Sequence, residues 1–225
     1  MTSERGVFLA ATRDFEVTVA DTPAAIEAAH RLRRQVEQDD ERGAAATAPD
    51  RFDARAEHVL LRQCSMGDQV VGTVRVVAPS SEGVDAGLPM QELCGPGVFR
   101  ALPRASTGEI GRFVISRGFN DVDCTGSAPL RLGLLKGVVQ VSAQLGLAHW
   151  CALMEHTLLR FLHGSAVQFQ PLGPTIEHGG RLCQPTWAGI DVLLTRLRGE
   201  RPALWDYLTE GGSLWREAAV EVAAA

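Results

Sequence analysis

The sequence predicts an α+β fold, in which a mixed, mostly antiparallel sheet is flanked by helices. The first observation is the order of its segments: a strand pattern, a helix pattern, and then strand patterns close together, as in a meander. The second is one long helical pattern at 127–145, followed by another strand, a helix and late strands. A helix that feeds an antiparallel meander is typical of α+β and mixed sheets, whereas doubly wound nucleotide-binding folds alternate regularly.

The first half of the chain contains one predicted helix among strands. Phe15–Val19 alternates apolar and polar residues, which predicts a strand. Asp21 is the candidate N-cap of a helix with Pro23 in its first turn, running to about residue 37. Two neighbouring strands, joined by a short turn around Gly67, are then predicted at 57–62 and Gln69–Val77.

The second half adds a fourth strand at 108–116 and then the clearest helix of the sequence. This helix is predicted at 127–145 because five apolar residues share one face: Leu130, Leu134, Val138, Val141 and Leu145. The elements predicted after it are a strand at 147–154, a short helix through 158–162, two late strands that could pair at 167–172 and 181–187, and helices at 190–197 and 202–208.

The composition is that of a globular protein. The chain has 225 residues, 45% hydrophobic and 22% charged, so we expect one domain over residues 1–225 with its core at about 15–210. A net charge of −5 gives no indication of nucleic-acid binding. No apolar run approaches roughly 18 residues, and charges interrupt the N-terminal segment, so we expect a cytoplasmic protein without a membrane span. The five cysteines are odd in number and widely spaced, which favours reduced thiols.

The fourth predicted strand contains an acid and a base three residues apart. In a regular strand, Glu109 and Arg112 would point to opposite faces of the sheet. A bulge at Gly111 would place both on one face and bend the strand. The carboxylate could then orient or deprotonate an amine, and the guanidinium could hold a carboxylate or a phosphopantetheine-type group. The alternative is a structural ion pair, or an edge strand with its polar residues outward.

Arg75 is a lone arginine within the β-branched strand Gln69–Val77. A buried arginine needs a partner or water, and an active-site cavity supplies both. The alternative is an arginine on the solvated face of the sheet.

Asp50 and Asp53 flank Phe52 just before the second predicted strand. Two carboxylates beside an aromatic ring could bind an ammonium group. The alternative is a turn with solvated acids at the start of a strand.

The sequence does not indicate a cofactor or a metal site. It contains no G-x-G-x-x-G or P-loop motif and no recognisable nucleophile–base spacing. His149, His156 and His163 recur every seven residues, but their span crosses from a predicted strand into a predicted helix. Core or surface histidines are therefore favoured over metal ligands.

Seven stretches carry a family resemblance that covers roughly residues 15–210. Four of them are RLRRQV (31–36), DRFD (50–53) with His58, VGTVR (71–75) and GEIGRF (108–113); the other three are AHWCALME (148–155), PLGP (171–174) and RPALWDYL (201–208). Together they resemble the long-chain N-acyl amino acid synthases, including acyltransferases associated with exosortase-type sorting systems. The first four are also shared, more distantly, with the acyl-homoserine-lactone (autoinducer) synthases.

This resemblance implies an acetyltransferase-like (GNAT) fold with a splayed central sheet. It implies an N-acyltransferase that moves a fatty acyl group to the amine of an amino acid or similar small acceptor, with acyl-carrier protein as the donor or, less so, acyl-CoA. By the resemblance, Arg75, Glu109 and Arg112 would form the catalytic centre. Arg33 would lie at the donor side, and Asp50 and Asp53 would lie near the acceptor pocket.

Further residues are assigned to substrate and partner contacts. The remaining candidates for substrate binding are Phe52, Phe113, Val114 and Trp150. Backbone N–H groups after Glu109 would polarise the thioester carbonyl, and the amine would attack without a covalent enzyme intermediate. Because carrier proteins are acidic, a docking patch is predicted at Arg117, Arg131 and Lys136, with a solvated helix end as the alternative.

Three positions depart from the family pattern: Glu37 in place of an aromatic, Ala48 in place of a glutamate, and Gly111 in place of a serine. They motivate one alternative, a non-catalytic acyl-carrier or lipid-binding regulator that kept the fold. The other alternative is an autoinducer synthase that acylates S-adenosylmethionine and releases methylthioadenosine.

Overall fold

The computed structural model describes residues 14–38, 49–80, 87–100, 102–120 and 127–215 of the chain. Its strands are β1 (Phe15–Val19), β2 (Ala56–Gln63), β3 (Gln69–Val77), β4 (Thr107–Ile115), β5 (His149–Glu155), β6 (Gln170–Pro171), β7 (Ile176–His178) and β8 (Arg181–Gly189). Its α-helices are α1 (Pro23–Gln38), α2 (Pro89–Cys94), α3 (Arg117–Asn120), α4 (Ala128–Gln144), α5 (His156–Gly164), α6 (Ile190–Glu200) and α7 (Pro202–Thr209).

The described strands form one mixed sheet in the order β1-β2-β3-β4-β5-β8-β6, and β7 pairs with β8. Neighbouring strands run antiparallel, except that β4 and β5 are parallel. Helices pack on the sheet, so the predicted α+β class with a mixed, mostly antiparallel sheet is confirmed. The two late strands do pair, through Gln170–Pro171 of β6 and β8.

The parallel strands β4 and β5 pair only over a short stretch. Their last paired residues are Glu109 and Cys151. Beyond this point β4 continues along β3 as far as Ile115, and β5 continues along β8 as far as Glu155. The two strands therefore separate toward their carboxyl ends and open a slot in the sheet beside Glu109.

The bulge predicted in β4 is present next to Gly111. Arg75 lies opposite Gly111 and Thr73 lies opposite Val114, so β4 has one more residue than β3 between these pairs. The residue in the left-handed conformation is Arg112, with φ of 54°, and not the glycine. This backbone is uncommon for a residue with a side chain, and it turns the strand where the slot begins.

The two faces of the sheet have different characters. Val59, Val74 and Ile110 belong to the large apolar cluster that includes α4. Residues opposite each other on neighbouring strands share a face, so the row of His58, Arg75 and Gly111 lies on the other face, together with Glu109. Helix α1 packs against β2, β3 and β4. The predicted polar residues are thereby collected on the side away from the main core.

Helix α4 is buried around most of its circumference, whereas the sequence predicted one apolar face. Residues on the remaining sides are buried as well, among them Leu132, Leu135 and Val139, while Leu145 lies beyond the helix end and is 37% exposed. Gly137 permits the close approach to the sheet, because a β-carbon there would collide with Val59. The long helix is therefore a core helix and not a surface helix with one buried face.

The start of α1 differs from the prediction by one residue. The backbone N–H of Ala25 donates to Oγ1 of Thr22 at 3.2 Å, so Thr22 caps the helix and the prediction of Asp21 is wrong. The short helix α2 and strand β7 were not predicted. None of the helices in the described ranges is long and apolar enough to cross a lipid bilayer.

Candidate active site

A polar cluster lies between α1 and the sheet, on the face that carries Arg75. Its members come from α1 (His30, Arg33), the turn before β2 (Asp50, Asp53), β2 (His58), β3 (Arg75) and β4 (Glu109, Arg112). All are buried or half-buried. Buried charges must be paired or hydrogen-bonded, so the contacts among these side chains define the site.

The turn at 50–53 is closed by its own carboxylates. The N–H of Phe52 donates to Oδ1 of Asp50 at 2.9 Å, and the N–H of Asp50 donates to Oδ2 of Asp53 at 2.8 Å. Such bonds are the reason aspartate is favoured in turns. They fix both carboxylates toward the sheet, so these acids form a half-buried pair and not the solvated turn of the alternative interpretation.

Arg75 joins the two aspartates. Its Nη1 donates to Oδ1 of Asp50 at 2.8 Å and to Oδ1 of Asp53 at 3.0 Å. Burial disfavours the charged guanidinium, but these bonds outweigh it and raise the pKa of Arg75. At Asp50, burial is likewise outweighed by hydrogen bonds from Arg75 and Arg112, which lower the pKa of that carboxyl. The arginine is therefore a buried, paired charge and not a solvated one.

Arg112 completes the chain of ion pairs at its more open end. Its Nη2 donates to Oδ2 of Asp50 at 3.0 Å, and its side chain is 21% exposed. The hydrogen-bond partner of Arg112 is thus Asp50 and not Glu109. Because one carboxylate binds Arg75 and Arg112, the positions of the two guanidiniums are coupled.

Glu109 is 5% exposed and stands at the edge of the cluster, where β4 leaves β5. Its Oε2 accepts a hydrogen bond from the N–H of Met90 at 2.8 Å, at the start of α2. Burial raises the pKa of Glu109 to about 8, against the opposing effects of that bond and of Arg75 and Arg112. A carboxyl with this pKa becomes a proton acceptor for an amine as pH rises toward 8.

Arg33 lies inside the cluster at 1% exposure. Its Nη2 donates to Nδ1 of His58 at 2.8 Å, and its Nη1 lies 3.5 Å from Oδ1 of Asp53. Burial and Arg33 lower the pKa of His58 to about 4, so this imidazole is neutral at physiological pH. The predicted place of Arg33 at the donor side stays a prediction, and its contacts favour a role within the cluster.

The residues His30, Asp53 and His58 could be considered as a metal site, because their ligand atoms lie within 4.8 Å of one another. An arginine is always the donor, so Nδ1 of His58 accepts and Nε2 carries the proton. A metal-binding nitrogen must be unprotonated. Arg33 and Arg75 also lie within 3.5 Å of Oδ1 of Asp53. This donor set does not fit a cation.

The other predicted substrate-binding residues lie in different surroundings. Phe52 is buried in an apolar cluster with Val77 and Cys151, next to Glu109 in the sheet. Phe113 packs against the main core, whereas Val114 lies opposite Thr73. Phe113 and Val114 are half-buried residues of β4 beyond Glu109, along the slot.

Trp150 lies in the main core. It is fully buried, its indole N–H donates to Oγ of Ser142 at 2.7 Å, and its ring stacks on Phe169. This location makes it a packing residue that supports β5 from the α4 side. Its predicted contact with substrate gains no support from this position.

The predicted docking residues have different contacts. Arg117 is exposed at the start of α3, directly after β4, and Arg131 lies over the ring of Phe161 from α5. Lys136 instead pairs with Glu210 at 2.8 Å and lies over Tyr207 of α7. Lys136 is therefore engaged on another side of α4.

One of the three departures from the family pattern, Gly111, lies within the sheet. Gly111 lies in β4 opposite Arg75, where a β-carbon would meet open space. The side chain of Glu37 and the whole of Ala48 lie outside the described residues. Gly111 therefore leaves room beside the cluster.

The sequence prediction missed two parts of the site. His30 lies three residues before Arg33 and shares its face of α1, a spacing from which it could have been found. The N–H of Met90 could not be found in this way, because no element was predicted over Pro89–Cys94.

Comparisons with known proteins agree with this architecture. Residues 30–124 match the family model described as the acetyltransferase (GNAT) domain. No curated protein matches the sequence. The structure is similar to FeeM, an N-acyl amino acid synthase from uncultured soil microbes, with a TM-score of 0.64 and 14% identity over 83% of this chain and 96% of that chain.

Two acyl-homoserine-lactone (AHL) synthases are also similar. The match to the AHL synthase LasI has a TM-score of 0.59 and 16% identity, over 77% of this chain and 88% of that chain. The match to BjaI, a CoA-dependent acyl-homoserine lactone synthase solved with MTA, has a TM-score of 0.61 and 19% identity, over 87% of this chain and 88% of that chain. At these identities the likeness shows a shared fold, and the expected resemblance is confirmed at that level.

Proposed function

With a GNAT acetyltransferase fold as the premise, we propose that this chain is an N-acyltransferase. It moves a fatty acyl group from acyl-carrier protein, or from acyl-CoA, to the amine of an amino acid or similar small acceptor. The observation that carries the proposal is the separation of β4 from β5 directly after Glu109, beside the ion-paired cluster of Arg75, Asp50 and Arg112. It offers an opening for a thioester next to a base and a carboxylate-binding group.

The donor enters the slot between β4 and β5. Over residues 110–114, the β5-facing edge of β4 pairs with no strand in the described part of the chain. An extended ligand with amide groups, such as a phosphopantetheine arm, can pair with such an edge as an added strand. The thioester carbonyl then lies among backbone N–H groups that stabilise the oxyanion as it develops.

Glu109 acts as the base. The acceptor ammonium gives a proton to the Glu109 carboxylate, directly or through water, and the free amine attacks the thioester carbonyl carbon. The C–N bond forms, the C–S bond breaks, and the thiolate leaves and takes up a proton that the amine nitrogen loses. The raised pKa of Glu109, about 8, suits this transfer because it makes the carboxylate a stronger base than an exposed glutamate.

Arg112 holds the acceptor at the open end of the cluster. It has the most exposed guanidinium of the three in the cluster, and its hydrogen bond to Asp50 uses one of its five N–H donors. A carboxylate of an amino acid fits the remaining fork, because guanidinium groups bind carboxylates in a bidentate manner. Three guanidiniums face two ionised aspartates here, which favours an anionic group over a further cation.

The acyl carrier docks at the open end of the slot. Because β4 and β5 separate toward their carboxyl ends, α3 and α5, which follow them in the chain, lie at this end. Arg117 of α3 and Arg160 and His163 of α5 are exposed there, and Arg131 of α4 lies over the ring of Phe161 in α5. A shallow depression of about 430 Å³ is lined by His156, Leu159, Arg160 and His163. Cationic side chains at this rim suit an acidic carrier.

Product analysis tests the proposal. Purified protein is incubated with acyl-carrier protein or acyl-CoA and a panel of amino acids and S-adenosylmethionine, and the products are identified by mass spectrometry. We expect an N-acyl amino acid with one free thiol per product, and loss of both with Glu109→Gln. Methylthioadenosine and a lactone would instead identify an autoinducer synthase. Carrier binding without thiol release would identify a non-catalytic regulator.

A further inference from the structure

His58 occupies an unusual place in the cluster, because it is a buried imidazole between an arginine and an aspartate. It is 1% exposed, on the same row of the sheet as Arg75. Its Nδ1 accepts from Nη2 of Arg33 at 2.8 Å, and its Nε2 faces Oδ1 of Asp53 at 3.6 Å. Its ring also meets the ring of His30 edge to face, with centroids 5.4 Å apart.

The hydrogen bond with Arg33 fixes the chemical state of this imidazole. A guanidinium can only donate, so Nδ1 is the acceptor and the single ring proton lies on Nε2, toward Asp53. A protonated His58 would present an N–H to the N–H of Arg33. The charged groups around it are Arg33 on α1, Asp53 in the turn and Arg75 on β3, with His30 as the other titratable neighbour.

The distances around Asp53 show what this bond achieves. Arg75 approaches Oδ1 of Asp53 to 3.0 Å, whereas Arg33 stays at 3.5 Å. Nη2 of Arg33 is occupied by His58, and its Nη1 keeps a longer ion pair with the carboxylate than Arg75 has. Without this acceptor, Arg33 would be free to close on Asp53 and compete with Arg75. Arg75 also holds Asp50, and Asp50 holds Arg112.

We infer that His58 is a positioning residue for the proposed acyl transfer. As a neutral Nε2–H imidazole it keeps Arg33 at the longer distance from Asp53, so that the ion-paired series Asp53–Arg75–Asp50–Arg112 keeps the geometry that binds the acceptor. This inference rests on the proposed function for the reaction it serves. The geometry itself is independent of that function. His58 touches no reacting atom and acts through Arg75.

Nitrogen-15 NMR of the imidazoles in the full-length wild-type chain tests the chemical state first. The His58 signals are assigned as those absent from His58→Asn. We expect an unprotonated Nδ1 and a protonated Nε2 from pH 8 down to about pH 5, since burial and Arg33 lower the pKa of this histidine. A proton on Nδ1, or an imidazolium at pH 6, would overturn the inference whether or not the chain transfers acyl groups.

Two matched variants test the positioning role. His58→Asn keeps an acceptor close to the place of Nδ1, and His58→Leu removes it at similar size. A hydrogen bond to a charged group contributes about 1.5–3 kcal/mol, so we expect kcat/KM for the amine acceptor to fall at least about ten-fold in His58→Leu. In His58→Asn it stays within about three-fold of wild type, and KM for the donor is unchanged in both.

Equal loss in both folded variants, or full activity in His58→Leu, would overturn the positioning role. If His58→Leu does not fold, His58→Gln replaces it, because its amide reaches the place of Nε2 and leaves Arg33 without an acceptor. A wild-type chain that transfers no acyl group would overturn the proposed function, and the role of His58 in it, while the NMR result would still decide whether the Arg33–His58 geometry is right.

Discussion

Glu109 shows how burial changes the chemistry of a single residue. A carboxyl in water is ionised well below neutral pH, but burial raises the pKa of Glu109 to about 8 although an N–H and two arginines oppose the shift. Asp50 is only half-buried, and the guanidiniums that donate to it lower its pKa. The site therefore holds a proton acceptor of high pKa beside permanent anions that hold the arginines.

Replacing Glu109 by glutamine is expected to reduce kcat at least about ten-fold, because the amide keeps an acceptor for the N–H of Met90 but cannot take a proton. In the wild type, kcat/KM is expected to rise with pH and level off above about pH 8, where Glu109 is ionised. The pH–rate profile measures this. An unchanged profile and near-normal turnover in the variant would remove Glu109 from the mechanism.

The same titration makes the stability of the fold depend on pH. Folding raises the pKa of Glu109 from 4.5 to about 8. The contribution of this carboxyl to the free energy of unfolding is therefore fully present below pH 4.5 and is lost as pH rises toward 8, because the carboxyl ionises at lower pH in the unfolded chain. His58 has the opposite sign: its pKa falls from 6.5 to about 4, so its contribution is lost as pH falls below 6.5. The two effects oppose each other between pH 4.5 and 6.5.

Between pH 6.5 and 8, Glu109 changes the free energy of unfolding with pH, whereas His58 is neutral in both the folded and the unfolded chain. We expect the free energy of unfolding of the wild type to fall by about 2 kcal/mol over this range relative to Glu109→Gln. Urea unfolding of both proteins at the two pH values measures the difference. Parallel pH dependence in the two proteins would show that Glu109 is already ionised in the folded state.

At the level of elements, the bulge of β4 decides which side chains meet. Without the extra residue, the strict alternation of a strand would direct Glu109 and Arg112 to opposite faces. The bulge places a left-handed residue at Arg112, and the guanidinium reaches Asp50 on the Arg75 side. The backbone strain at this position is therefore coupled to the ion-pair chain.

Two substitutions at Arg112 separate strain from chemistry. Arg112→Ala and Arg112→Gly both remove the guanidinium, so each is expected to lower turnover at least about ten-fold. Glycine adopts the positive φ of 54° at no steric cost, so Arg112→Gly is expected to be about 1 kcal/mol more stable than Arg112→Ala. Chemical denaturation compares the two. An alanine variant as stable as the glycine variant would mean that the bulge relaxes.

Element positions were predicted well where local chemistry decides them. Phe15–Val19 and Gln69–Val77 have the predicted bounds, because alternation and β-branched residues signal strands directly. Helix α2 was missed because it is short and follows a glycine- and serine-rich stretch. The burial of α4 on several sides was missed because an apolar pattern indicates only that some face is buried.

At the level of the whole molecule, the sheet brings sequence-distant basic residues to the open end of the slot. Arg131 of α4 lies over the ring of Phe161, the residue that follows Arg160 in α5. Lys136 belongs to the same helix as Arg131, but it faces Glu210 and Tyr207. Its charge is thus separated from the proposed docking surface by the body of the helix.

Neutralising Arg160 tests that surface. In Arg160→Gln, KM for an acyl-carrier protein is expected to rise about three-fold or more at low salt, with less effect at high salt, because exposed charges act over about 10 Å and are screened. KM for an acyl-pantetheine without the carrier is expected to stay unchanged. Lys136→Gln is the matched control. An equal effect of both variants would place the carrier elsewhere.

The sequence by itself determined most of the longer elements, the α+β class and most of the polar residues, because periodicity and turn chemistry act over a few neighbouring residues. It also placed Glu109 and Arg112 on one bent strand. Only the tertiary structure decided the partners: Arg112 with Asp50, Arg33 with His58, and Glu109 with the N–H of Met90. These pairs depend on strand register and helix packing between distant segments, and the pKa of Glu109 depends on burial, which no local pattern encodes.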